Sequence, residues 1–155
     1  MQRSHQYTME LEWTGNSGTG TSAYRAYERS HVVRVPGKPD LLLSSDPLFR
    51  GDRSRYNPEQ LLVGSLSSCH MLWFLHLCSE AGVVVVAYTD RPIGTMQEDA
   101  DGGGRFTEVT LRPDVVVASG GMIERVEALH VEAHHKCFIA ASVNFPVKCE
   151  GKCRV

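Results

Sequence analysis

The sequence predicts an α+β fold in which curved antiparallel sheets surround one long, buried central helix. A stretch of about 24 residues between Asn57 and Gly82 lies between helix-start and helix-stop signals. Its middle, from Leu61 to Cys78, is apolar or small on every side, so this helix has no polar face to give to solvent. The rest of the chain alternates short strand patterns with turns rich in glycine, proline and asparagine, as expected of sheets.

Composition indicates one globular domain spanning residues 1–155, with 42% hydrophobic and 22% charged residues. The formal net charge of -2 gives no electrostatic reason to expect a nucleic acid or an anionic membrane as partner. The first residues, Met-Gln-Arg-Ser-His-Gln-Tyr, lack the apolar segment of a secretion signal. We therefore expect a cytoplasmic protein whose five cysteines are mostly reduced.

The first third predicts an antiparallel meander. Residues 7–13 alternate apolar and polar side chains, which is typical of a half-buried strand. Residues 21–35 predict one long, bent strand or two short ones, and residues 40–44 predict a third. Residues 45–56 form a polar, basic loop that leads into the helix, and loops on rigid scaffolds often carry function.

The helix has recognisable ends. Asn57 can accept a hydrogen bond from the first turn, and Pro58 suits the first helical position. Glu59 places a negative charge at the positive end of the helix, and Gly82 is expected at C′. A membrane span is the weaker interpretation, because three serines and two histidines interrupt the apolar run before the ~18 to 20 residues that a span requires.

The second half predicts further strands and one more amphipathic helix. Pro113 implies an edge or a bend within its strand. The predicted strands are 83–90, 93–98, 105–117 and 144–149, with a helix at 122–136 and a short helical piece at 137–143.

Two cysteines are the candidates for chemistry. Cys69 lies in the middle of the long helix, where a lone cysteine is commonly buried and inert. Cys137 is expected to open the short helical piece, where the helix dipole would lower the thiol pKa. A redox pair needs one nucleophilic and one resolving thiol, and these two could supply them.

These residues resemble the OsmC/Ohr peroxiredoxin-like family. The helix begins Asn-Pro-Glu-Gln-Leu-Leu at Asn57, Cys69 follows Glu59 by ten positions, and Cys137 follows Cys69 by 68. The order of predicted elements is also similar over essentially the whole chain. The resemblance implies a peroxidase that reduces organic hydroperoxides with no cofactor beyond its own cysteines, using electrons from a dithiol reductant.

Carried over to this sequence, the resemblance implies that Cys69 is the peroxidatic thiol and Cys137 the resolving one. Glu59 would hold an arginine that stabilises the Cys69 thiolate. OsmC-type members carry that arginine immediately before a Phe-x-Gly motif, where this chain has Leu48. We favour Arg50, which follows the phenylalanine, over the other candidates Arg29, Arg53 and Arg55.

Helix geometry requires either a side chain that reaches back along the helix or a second subunit at the site. Ten residues of helix span about 15 Å, too far for Glu59 and Cys69 of one chain to share a site directly. The family implies an intertwined homodimer with active sites at the interface, and the almost fully apolar helix agrees with this.

Other interpretations remain open. One is a non-catalytic protein of the same fold that binds a small apolar molecule or senses redox state. Another is a metal-binding module built on His130 and His134, with His135 or Cys137 as a further ligand; a polar helix face is the favoured explanation of these histidines. His70 is expected to be packed or hydrogen-bonded, and the terminal Cys149 and Cys153 to lie in a frayed tail.

Overall fold

The computed structural model describes residues 3–155 and contains two compact units, one ending at Leu61 and the other beginning at Leu62. The first unit holds a three-stranded antiparallel sheet in the order β1-β2-β3. Its strands are β1 (Glu10–Trp13), β2 (His31–Arg34) and β3 (Leu41–Leu43).

The meander differs from its prediction in two places. The side chains of β1 are all exposed in this chain, so the expectation of a half-buried strand is wrong for it. Residues 21–26 form turns, Tyr27 makes only an isolated β-bridge to Asn16, and the predicted strand begins at His31. The guanidinium of Arg29 donates to the carbonyls of Tyr24 and Tyr27 and lies over both of their rings, which closes this segment into a local loop.

Helix α1 (Pro58–Glu80) has the predicted ends. The Gln60 N–H donates to the side-chain oxygen of Asn57, and the Asn57 N–H donates back to the Gln60 side chain. At the other end Gly82 has φ 68°, and Val83 and Gly82 donate to the carbonyls of Cys78 and Ser79. This is a Schellman motif with Gly82 at C′, since a left-handed residue there is least costly for glycine.

The second unit contains most of α1 and two three-stranded sheets, β4-β7-β9 and β5-β6-β8. Both sheets are mixed rather than purely antiparallel, because β8 and β9 pair in parallel with β6 and β7. The remaining elements are β4 (Val85–Asp90), β5 (Ile93–Glu98), β6 (Gly104–Leu111), β7 (Pro113–Val117), α2 (Ile123–Lys136), β8 (Val147–Cys149) and β9 (Lys152–Arg154). The chain passes from one sheet to the other at the predicted bend before Pro113.

One face of α1 builds the core of the second unit. Phe74, fully buried, packs with Val115 of β7 and Ala133 of α2, and Leu66 packs with Val109 of β6. Removing such side chains from water supplies the main stabilising free energy of the unit.

The other face of α1 is open in the single chain, where Leu72 is 61% exposed. The chain's own sheets therefore cover only one face of this central helix. By length and composition α1 could cross a membrane, and 28% of its most apolar window is buried. Core helices of soluble proteins satisfy the same two criteria.

The C-terminal segment corrects two expectations. Cys137 directly follows α2, at its C-terminal end, and residues 137–143 contain only a short 3-10 turn at Ala140–Ser142. Cys149 and Cys153 lie in β8 and β9 rather than in a frayed tail. Pairing with strands distant in sequence holds this segment in place.

Candidate active site

The structure brings Cys69 and Cys137 together within the second unit. Cys69 lies on α1 and is half-buried, whereas Cys137 follows α2 and is only 1% exposed. Their thiols lie close enough for Cys69 to raise the pKa of Cys137. The backbone N–H of Ala140 donates to the Cys137 sulfur at 3.4 Å, so the turn after α2 fixes the position of the buried thiol.

The two thiols have unequal environments. Burial, followed by the neighbouring Cys69 thiol, raises the pKa of Cys137 to about 11. Cys137 therefore keeps its proton at neutral pH. The expected dipole effect is reversed, because Cys137 stands at the negative C-terminal end of α2, where its N–H donates to the His134 carbonyl.

An aromatic pair flanks the thiols. Trp73 lies one turn after Cys69 on α1, and Phe138 directly follows Cys137. Their rings meet edge to face with centroids 5.8 Å apart, and Phe138 is 69% exposed. Phe74, in contrast, is a core residue. The exposed aromatic surface beside the half-buried thiol could receive an apolar molecule.

The carboxylate and arginine candidates belong to the first unit. Glu59 lies in the first turn of α1, and its Oε2 atom is buried without a hydrogen-bond partner among the described residues. Such an oxygen is costly to leave unpaired.

Arg50 is held in an unusual backbone conformation. Its φ of 66° is the one positive value among the non-glycine residues that the structure describes. The following Gly51 is required there, because a Cβ would lie 1.6 Å from the Ser45 carbonyl oxygen. The Arg50 side chain makes no ion pair or hydrogen bond within residues 3–155.

The other candidate arginines differ from Arg50. Arg29 is bound by the carbonyls and rings of two tyrosines. Arg55 forms an ion pair with Asp52 at 3.5 Å. Arg53 is exposed in the same loop as Arg50.

The sequence did not predict a second polar cluster, formed by His70, His130 and Cys149. The Nε2 atom of His70 and the Nδ1 atom of His130 are 2.9 Å apart, and the Cys149 sulfur lies 3.7 Å from the same His70 nitrogen. The ring planes differ by 8° and the centroids are 5.2 Å apart, so the nitrogens face each other almost in line. His70 is hydrogen-bonded, as predicted, but His130 is 6% exposed and does not lie on a polar helix face.

Burial dominates the electrostatics of this cluster. It lowers the pKa of both His70 and His130 to about 4, so both rings are neutral at neutral pH. Burial also raises the pKa of Cys149 to about 11, with a further contribution from the Asp90 charge. Since the three residues come from α1, α2 and β8, no local sequence pattern could have indicated that they meet.

A long apolar helix and two small mixed sheets together define an α+β protein. The sequence profile of the OsmC-like protein family matches residues 51–152. The chain therefore belongs to the OsmC-like protein family. Helix α1 is accordingly the core helix of a soluble fold.

Solved structures agree with this assignment. An OsmC-like protein of unknown function from Vibrio cholerae is 30% identical, with a TM-score of 0.86, over 96% of this chain and 100% of the other. An organic hydroperoxide resistance protein OsmC from Legionella pneumophila is 18% identical, with a TM-score of 0.68, over 98% of this chain and 100% of its own. The organic hydroperoxide resistance protein OhrB of Bacillus subtilis is 21% identical, with a TM-score of 0.63, over 94% and 98% of the two chains. No curated protein sequence matches the chain.

Proposed function

We propose that this protein is a thiol-dependent peroxidase that reduces organic hydroperoxides through Cys69 and Cys137. The observation that carries the proposal is that a half-buried and a fully buried thiol lie side by side. Two similar folds belong to organic hydroperoxide resistance proteins, which agrees with this chemistry.

The proposed reaction has three steps. The Cys69 thiolate attacks the outer peroxide oxygen and the O–O bond breaks, so the sulfur becomes a sulfenic acid and the alkoxide takes a proton from water and leaves as the alcohol. Cys137 then attacks this sulfur as its thiol proton passes to the departing hydroxyl, which forms the disulfide and releases water. A dithiol reductant returns two electrons and two protons by thiol–disulfide exchange. The accessible Cys69 suits the first step, and Cys137 lies next to it for the second, in which it attacks as it loses its proton.

The exposed aromatic surface supports an organic rather than an inorganic peroxide as substrate. Trp73 and Phe138 offer apolar area beside the cysteines, which the alkyl or aryl group of a hydroperoxide could cover. Hydrogen peroxide has no such group and would gain nothing from this surface.

Thiolate formation needs a nearby positive charge, since a cysteine with a pKa near ~8.5 is mostly protonated at neutral pH. We assign this role to Arg50, with Glu59 holding the guanidinium. Arg50 is unpaired among the described residues, and its strained backbone is of the kind found at functional sites. The buried, unpartnered Glu59 oxygen would gain a charge-assisted hydrogen bond.

We also propose a homodimer with active sites at the interface, located in the cytoplasm. Leu72, Trp73 and His76 line a shallow apolar depression on the open face of α1. A second copy covering this face would remove Leu72 from water and complete the burial that the helix composition predicts. The proposal includes no membrane or nucleic-acid partner.

Turnover of cumene hydroperoxide tests the enzyme proposal. Reduced protein is assayed with dithiothreitol as donor, beside Cys69→Ser and the control Cys153→Ser, whose sulfur lies elsewhere in the second unit. We expect turnover in the wild type and the control, faster with cumene hydroperoxide than with hydrogen peroxide, and none with Cys69→Ser. Equal, negligible rates in all three proteins would instead favour a protein that binds a small apolar molecule or senses redox state.

A further inference from the structure

Three side chains with metal-ligand chemistry converge in the second unit, apart from the Cys69–Cys137 pair. His70, His130 and Cys149 each offer one ligand atom, and these three atoms all lie within 4.8 Å of one another. Imidazole nitrogen and thiolate sulfur are the preferred ligands of Zn²⁺. Three different elements supply them, so the tertiary fold creates the cluster.

The two imidazoles are buried without full hydrogen bonding. His70 is 1% and His130 6% exposed. Their facing nitrogens share a single hydrogen bond, whereas Nδ1 of His70 and Nε2 of His130 have no partner among the described residues. An ion at the facing nitrogens would leave these two outer nitrogens unpaired, so the case for a ligand rests on the three converging atoms of His70, His130 and Cys149.

The spacing is close to that of a tetrahedral zinc site. At ordinary bond lengths two nitrogen ligands are about 3.3 Å apart, and a nitrogen and a sulfur about 3.6 Å. The corresponding distances here are 2.9 Å between the histidines and 3.7 Å between His70 and Cys149. An ion would replace the proton that the rings share, and both rings would turn so that their lone pairs point at the ion.

A cavity of about 590 Å³ gives access to the cluster. His130 and Cys149 line it together with the acidic Glu127 and Glu150 and the basic Lys152. The cavity provides an entry path for an ion and room for a water molecule as fourth ligand.

We propose that His70, His130 and Cys149 bind one Zn²⁺ ion, with the fourth position facing the cavity. This site is independent of the proposed peroxidase reaction, and its ligands are not used there. The ion links α1, α2 and β8 and so stabilises the folded second unit.

Cobalt binding tests the proposal, because Co²⁺ reports its ligands spectroscopically. The parent protein carries Cys69→Ser and Cys137→Ser, which removes the redox pair as a competing thiolate source, and a phosphine keeps the other thiols reduced. We expect one Co²⁺ to bind per chain, with tetrahedral d–d bands and a thiolate-to-cobalt charge-transfer band. Adding Zn²⁺ should displace the cobalt and abolish these bands.

Two further variants locate the site. Cys149→Ser should lose the charge-transfer band and weaken cobalt binding more than tenfold. Cys153→Ser, whose sulfur lines the same cavity, should keep both. Zn²⁺ should raise the melting temperature of the parent and of Cys153→Ser but not of Cys149→Ser, since an ion that binds only the folded state stabilises it.

Substoichiometric cobalt binding by the parent, or an unchanged charge-transfer band in Cys149→Ser, would overturn the site and leave a hydrogen-bonded core cluster. Circular dichroism of each variant without metal checks folding, and His130→Gln provides a second ligand deletion if Cys149→Ser unfolds. Since no readout uses peroxide, the result is separable from the outcome for the enzyme proposal.

Discussion

The Cys137 thiol lies beside the Cys69 thiol, although 68 residues separate the two along the chain. Cys137 is buried at the end of α2 and Cys69 is half-buried on α1. This difference in burial is the basis for proposing Cys69 as the attacking thiol and Cys137 as the resolving one.

Replacing the resolving thiol should trap the first oxidised intermediate. In Cys137→Ser treated with one equivalent of cumene hydroperoxide, we expect a sulfenic acid at Cys69 that dimedone labels. The wild type should show much less label, because Cys137 condenses with the intermediate. The control Cys69→Ser should remain unlabelled; equal labelling there would place the reactive thiol elsewhere.

Removing the proposed guanidinium should slow the chemical step. We expect Arg50→Gln to lower kcat/KM at least tenfold and to shift the acid limb of its pH profile upward, because the thiolate loses a stabilising charge. Arg50→Lys should recover part of the lost kcat/KM, since lysine keeps the positive charge but lacks the planar guanidinium group. Arg53→Gln, from the same loop, is the matched control, and an equal loss in it would argue against a specific role for Arg50.

The buried histidines should make stability depend on pH. Their pKa values fall from 6.5 to about 4 on folding, so the unfolded chain binds protons that the folded chain does not. The free energy of unfolding is therefore highest above about pH 6.5, decreases as pH falls, and levels off below about pH 4. Denaturant titrations of metal-free protein across this range measure the slope.

Histidine variants identify the source of that slope. His130→Gln should flatten the dependence of the free energy of unfolding on pH, because one titrating histidine is gone and the remaining one, His70, is less tightly packed. His135→Gln, which removes an exposed histidine of the same helix, should leave the slope unchanged. A slope equally steep in His130→Gln would mean that other groups cause the acid sensitivity.

A charge on the open face of α1 should weaken self-association. We expect Leu72→Glu to shift the protein from dimer to monomer in light scattering, since the interface would bury an unpaired carboxylate. The control Val131→Glu introduces the same charge on α2, where Val131 is 55% exposed and so comparable to Leu72 at 61%. This variant should remain dimeric. Dissociation of both variants to the same extent would contradict the proposed interface.

The sequence predicts best where the physical signal is local. The capping residue Asn57 and the left-handed Gly82 indicated both ends of α1, because a cap and a C′ glycine act within a few residues. The α+β class and the strand at 93–98 were also predicted from local sequence patterns.

Non-local pairing was beyond sequence reasoning. Cys137 was expected to start a helical piece, but tertiary packing ends α2 just before it. The parallel pairing of β8 and β9 places Cys149 and Cys153 in strands, and contacts between distant residues determine that pairing. The contact between His70 and His130 depends on how two helices pack, which neither local sequence encodes.

Mapping the disulfide formed in a single turnover tests the central claim most directly. Reduced wild-type protein is mixed with one equivalent of cumene hydroperoxide, alkylated, digested and analysed by mass spectrometry. We predict a disulfide that joins Cys69 and Cys137, with Cys78, Cys149 and Cys153 still alkylated as free thiols. A disulfide between other cysteines, or peroxide consumption while Cys69 and Cys137 remain reduced, would contradict the proposed redox pair.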